Sequence, residues 1–276
     1  MRLAFSTRPF SDRSLTEAIR TIGSLGYDGV EIVADFPHAL PAHVTPAVLD
    51  LVKGAIRDEG LRLPAVSALG LTPGPSVLGA SWIDDDPVAR NERYRYTLDC
   101  IRMAGTLGAE FVLTPAGGPW SGGPGPARSR ALDGFEQNLR RLTPFAEEFG
   151  VTLLVSPGPG LLVETSLQLR HLLESLDHPV IRGALDVGHA LGRGEDPAAI
   201  VRDLGPWLPY FRVADAPPSG EHLHLAPGRG AVDYAELGRA LRERRFRGFL
   251  TANVRAFDET IDAAAKESID VLKQRL

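Results

Sequence analysis

The sequence predicts an α/β chain folded as a single-domain (β/α)8 (TIM) barrel over residues 1–276. Three observations carry this expectation. Short apolar runs alternate with amphipathic segments eight times along the chain. The helical segments tend to end in glycine, the usual left-handed cap, at Gly26, Gly60, Gly108 and Gly150. The first apolar run is followed by "TRPFSD" and not by a glycine-rich phosphate turn, which argues against a doubly wound open sheet.

In order, the strand candidates are "RLAFS", "GVEIV", "RLPAVS", "EFVLT", "VTLLVS", "RGALD", "YFRVAD" and "GFLTAN". Helical stretches lie between them at Ser14–Leu25, Thr45–Glu59, Pro87–Leu107, Ser129–Phe149, Ser166–Leu176, Pro197–Leu204 and Tyr234–Arg244. Asp258–Leu276 closes the chain, with acids in its first turn and Lys273 and Arg275 in its last, as the helix dipole prefers. The 29 glycines and 22 prolines punctuate these units without pooling into a linker, so one domain is expected.

Composition narrows the function. A chain 43% hydrophobic and 24% charged can bury a large core, and its net charge of −5 disfavours nucleic-acid binding, which needs cations against phosphates. Cys100 is the only cysteine, which excludes an internal disulfide and a thiolate metal cluster. No run of about 18 apolar residues appears, and the N-terminus lacks an apolar leader; the expectation is a cytoplasmic protein with a small-molecule partner and no membrane.

Barrel chemistry sits where strands end, so polar groups at the strand ends are the site candidates. These ends hold Ser6 and Thr7, Glu31 and Asp35, Ser67, Thr114, Ser156, Asp186 with His189, Arg212 with Asp215, and Asn253. The loop "HLHLAPGRGAVDY" adds His222, His224, Arg229 and Asp233. Polar groups aimed into a barrel mouth are costly unless they pair or bind something. In "ALDVGHA" the carboxylate of Asp186 and the imidazole of His189 either face one ligand or serve as helix cap and packing residue. Two long loops, "ALGLTPGPSVLGASWIDDD" and "PAGGPWSGGPGPARS", carry Trp82 and Trp120, each a rim anchor or part of a binding loop.

These residues, in this order, resemble the xylose isomerase-like TIM-barrel superfamily of sugar isomerases and epimerases. The similarity covers nearly the whole chain, through "GYDGVEI", "GVTLLVSPGPG", "GALDVGHA", "FRVAD", "APGRGAVDY" and "GFLTANV". The resemblance implies a divalent metal (Mn, Mg or Co) held by Glu, Asp, His and Glu from strands five to eight, with two glutamates moving protons between sugar carbons. Carried onto this chain, those four positions are Ser156, Asp186, Arg212 and Asn253, so Asp186 is the only ligand kept. His189, which the resemblance implies contacts substrate, is kept, as is the "PGRG" loop.

The expectation is therefore a degenerate metal site without a cofactor, in which the Arg212 guanidinium stands in for the metal's charge and pairs with Asp186. Candidate catalytic residues are His189, Asp186, Arg212 and Glu31, with Asp215 a further acid/base candidate. Candidate substrate-binding residues are Ser156, Asp215, Asn253, His222, His224, Arg229 and Trp120. The substrate class is a sugar, polyol or related metabolite, the reaction of isomerase, epimerase or lyase type, and the assembly a homodimer, as members of the superfamily commonly pair. Two alternatives stand beside this: a non-catalytic metabolite-binding protein, and a metal-dependent isomerase recruiting Glu31, His222 or His224 to Mn, Mg or Co. DNA repair of the endonuclease IV kind is disfavoured, because the chain has only seven histidines and its basic run "RERRFR" reads as a solvated helix face.

Overall fold

The computed structural model describes residues 1–70, 79–219, 221, 223–257 and 259–276. All eight apolar runs pair in sequence order into one closed parallel barrel. The strands are β1 (Arg2–Ser6), β2 (Gly29–Val33), β3 (Ala65–Ser67), β4 (Phe111–Pro115), β5 (Thr152–Ser156), β6 (Ile181–Asp186), β7 (Tyr210–Val213) and β8 (Phe249–Ala252). β3 is shorter than the run "RLPAVS", because Pro64 has no N–H to give a ladder.

The helices are α1 (Leu15–Ser24), α2 (Pro46–Asp58), α3 (Pro87–Leu107), α4 (Pro126–Glu148), α5 (Ser166–Leu176), α6 (Val187–Gly192), α7 (Pro197–Leu204), α8 (Tyr234–Glu243) and α9 (Ile261–Arg275). Ser14 and Thr165 open α1 and α5 with reciprocal capping boxes, which satisfy backbone donors that a helix start leaves orphaned. The four expected glycine caps all take positive φ. No helix among the described residues is long and apolar enough to cross a membrane.

Strand geometry builds the site. Side chains alternate between the helix layer and the barrel interior. Leu3, Phe5, Val30, Ile32, Val112, Val155, Leu185, Phe211 and Leu250 face out and pack under the helices. Ala4, Ala65, Leu113, Leu154, Ala184, Tyr210 and Phe249 face in and plug the barrel. Two residues further along each of those seven strands stand Ser6, Ser67, Pro115, Ser156, Asp186, Arg212 and Thr251. One pleat above a dry plug, the interior thus becomes a mostly polar floor, open toward the strand C-termini.

Candidate active site

The deepest polar group is Glu31, fully buried at 0% exposure. The Tyr210 hydroxyl donates to its Oε2 (2.9 Å), and Arg212 Nη2 donates to its Oε1 (3.2 Å). Tyr210 also shares a 2.5 Å hydrogen bond with Thr251 Oγ1. This corrects the expected pairing: the counter-ion of Arg212 is Glu31, reached across the barrel, and not its ladder neighbour Asp186. Both oxygens of Glu31, a candidate base, are thus engaged by side-chain donors. Arg212 is 3% exposed; burial pulls its pKa down, but Glu31 and Asp186 outweigh that and raise it, so the cation is permanent.

Asp186 ends β6 and caps α6, accepting from the His189 N–H at Oδ1 (3.2 Å). Its Oδ2 is buried and accepts no hydrogen bond, with His189 Nε2 at 3.9 Å. Burial pushes this carboxyl up, but His189, His224 and Arg212 prevail and hold it down at about 2. The cap expected in "ALDVGHA" is present, and the second carboxylate oxygen of Asp186 faces His189. His189 stands in the first turn of the short helix α6.

His224 closes the cluster. Its ring centroid lies 5.3 Å from that of His189, edge to face, and Asn253 Nδ2 lies 3.5 Å from its Nδ1. At φ 50° it occupies the left-handed region that a side chain with a Cβ enters only at a cost, a feature that gathers at functional sites. Arg255 N–H donates to the His224 carbonyl (2.8 Å), tying this loop to the end of β8. Ser156, at the buried end of β5, precedes Pro157, whose carbonyl lies 3.4 Å from His189 Nδ1.

The remaining candidates separate from this cluster. Asp215 is fully buried and spends its carboxylate on backbone: Oδ1 accepts from the N–H groups of Ala216 and Val232 (both 3.0 Å), and Oδ2 from that of Gly228 (2.8 Å). Through these contacts it anchors the loop after β7. Arg229 turns outward, with Nη1 on Glu259 (2.7 Å) and Nη2 on Glu267 (2.5 Å). Trp120 lines a separate cleft of about 530 Å³ between α3 and α4, beside Trp82 and Arg90. Its backbone N–H donates to the Gly160 carbonyl (2.8 Å), which fastens one loop to the next. Trp82 is buried, and its indole N–H donates to Thr114 Oγ1 (2.9 Å). His222 lies outside the described residues.

A cavity of about 650 Å³ opens over this floor, lined by Arg212, His224 and Asn253 and also by Arg8 and Arg255. Sequence reasoning missed these last two. Each stands two residues past a polar strand-end position, in "STR" and "NVR", and extending the strand-end register by one more pleat would have found them.

A closed parallel barrel with its polar cluster at the strand C-termini defines the class of barrels that carry their chemistry at that face. The chain belongs to the xylose isomerase-like TIM barrel family, whose profile matches residues 19–275. Fructoselysine 3-epimerase from Escherichia coli O157:H7 is 23% identical over 248 residues, covering 87% of this chain and 85% of that protein. A D-tagatose 3-epimerase-like protein superposes with TM-score 0.83 at 21% identity, covering 100% of this chain and 97% of that one. The 3-keto-D-glucoside 4-epimerase of E. coli does so with TM-score 0.82 at 18% identity, over 99% of both chains.

The four-ligand metal set implied by the family resemblance does not fit this floor, where Ser156 and Asn253 replace carboxylates and Arg212 places a cation. A different donor set does come together. Ligand atoms of Asp186, His189 and His224 all lie within 4.8 Å of one another, one carboxylate and two imidazoles around the unsatisfied Asp186 Oδ2. That combination suits a divalent transition ion.

Proposed function

We propose that this barrel catalyses isomerase- or epimerase-type proton transfer on a sugar or related polyhydroxy carbonyl compound. The single observation that carries the reading is the convergence of Asp186, His189 and His224 beside the permanent cation Arg212 at the catalytic face of a barrel in this family. Removing a proton from the carbon next to a carbonyl leaves negative charge on the oxygen. Arg212 is the group to stabilise it. Asp186, held ionised down to pH of about 2, is too weak a base for neutral pH and instead positions His189 through its backbone N–H. The imidazoles of His189 and His224, which can each take or give a proton, approach as candidate base and acid from α6 and from the loop after β7. The epimerase names of the relatives support the substrate class.

The test is proton exchange. The protein is incubated in D2O with D-fructose, D-psicose, D-tagatose and their phosphorylated and acidic counterparts, and NMR follows deuterium entering beside the carbonyl. Exchange with at least one compound is expected, falling about a hundredfold or more in His189→Gln. No exchange across the set, or exchange indifferent to His189→Gln, overturns the reading.

A second reading is favoured by the unsatisfied Asp186 Oδ2: the same three residues hold a divalent ion. Such an ion would polarise the substrate carbonyl, a role then shared with Arg212. The geometry beside His189 is compatible, since its Nδ1 lies near the Pro157 carbonyl, a contact typical of a metal-bound imidazole's other nitrogen. Calorimetric titration of chelator-stripped protein with Zn²⁺, Co²⁺ and Mn²⁺ decides it. One-to-one binding lost in His224→Ala supports the reading, and flat isotherms for all three ions remove it.

A further inference from the structure

The charge around the mouth is one-sided. The chain as a whole is acidic, with 35 carboxylates against 30 Lys and Arg. Yet among the described residues the cavity over the floor is lined by Arg8, Arg212 and Arg255 and by no Asp or Glu. Of the three, Arg212 is neutralised by Glu31. Among the described residues the ion-pair partner of Arg8 is Asp35, with Nη2 and Oδ2 3.9 Å apart, and Asp35 Oδ1 is committed to the Phe36 N–H at 2.7 Å. Arg8 feels burial and then the neighbouring Arg212, and both pull its pKa down; Asp35 and Glu31 only partly compensate. Arg8 and Arg212 thus line one cavity together. Arg255 makes no side-chain ion pair or hydrogen bond among the described residues, although its backbone is fixed to His224. Nearby, Arg229 shows how this chain treats an arginine meant for structure, clamped between two glutamates.

Guanidinium groups gathered at one cavity rim raise the local positive potential and draw anions to it. Guanidinium forks match carboxylate and phosphate oxygens in pairs. We propose that the compound bound in this mouth carries a carboxylate or phosphate group, which Arg8 and Arg255 hold while its polyhydroxylated part lies against His224 and Asn253. The cavity, at about 650 Å³, has room for a six-carbon sugar bearing such a group. This inference rests on the reading of the mouth as a sugar-type substrate site.

Calorimetry with three probes tests it: D-fructose, D-fructose 6-phosphate and D-glucuronate, each at low and at physiological salt. At least one anionic probe should bind about tenfold or more tighter than D-fructose and weaken as salt rises. Which of the two binds tells phosphate from carboxylate. Arg8→Gln and Arg255→Gln should each weaken that probe about tenfold, whereas Arg57→Gln, an equal charge change on an exposed side chain of α2, should not. Two variants at separate strand ends guard against a single folding defect, and unchanged thermal unfolding of each confirms intact barrels. Neutral and anionic probes binding alike, or Arg57→Gln weakening binding as much as Arg255→Gln, overturns the inference and leaves the proton-transfer reading standing. Tight anion binding without any deuterium exchange keeps the inference and overturns that reading. Absence of binding by all three probes overturns the inference outright.

Discussion

At the scale of single residues, the molecule turns on Glu31 and Arg212. Both are buried, and each satisfies the other in a place where a lone charge is very expensive. Glu31→Gln or Arg212→Met alone should destabilise the barrel by about 3–5 kcal/mol. The double variant should lose markedly less than the sum of the two, read from urea unfolding midpoints. Simple additivity would mean that the pair does not interact. The sequence could place Arg212 on the inner face of β7 through the two-residue alternation, and could place Glu31 on that of β2 likewise. It could not pair them. Their contact spans 181 positions and depends on side-chain reach across the barrel, whereas Asp186 is beside Arg212 in the ladder and was the natural partner to expect.

At the scale of elements, the loop after β7 depends on one carboxylate. Asp215 takes three backbone N–H groups, and its own N–H and C=O pair with Leu225. The chain there is folded back so that His224 reaches the Asp186 cluster. Asp215→Ala should free the segment around Gly228 and Val232 to open, costing about 2 kcal/mol locally, which is roughly thirtyfold faster amide exchange. Exchange at those amides in deuterium-labelling mass spectrometry checks this; rates equal to those of the unaltered protein would show that the loop is held by other contacts. The strands and most helices were legible to within a few residues because periodicity and caps are local. The role of Asp215 was not, because a strand-end acid that binds substrate and one that binds its own loop look the same in sequence. The short helix α6 escaped for a related reason: at six residues it is held by the Asp186 cap and its packing more than by any pattern of its own.

At the scale of the whole molecule, the mouth links stability to pH. Asp186 has a folded pKa of about 2, below the ordinary carboxyl value of about 3.9. The group is depressed on folding, so its contribution is fully present above pH of about 4 and is lost as pH falls through about 2. The amount is roughly 2 kcal/mol. Thermal unfolding followed from pH 7 downward should show stability falling across that acid window, with a shallower fall in Asp186→Asn; parallel profiles would remove Asp186 as the source. The barrel itself was the most legible feature, since eight alternations leave few other ways to bury so many apolar runs. The site was legible as a ring of positions and not as a network, since distances between strand ends are set by the closed barrel and not by chain order.

The pairing of Glu31 with Arg212 also works as a ratchet on sequence change. A histidine substituted for Arg212 would strand Glu31 in the floor, and a neutral residue substituted for Glu31 would strand Arg212. Either route passes through a form weakened by about 3–5 kcal/mol, a large share of the 5–15 kcal/mol margin typical of a folded protein. Variants with a different centre of charge in this mouth must therefore change both strands, β2 and β7, together.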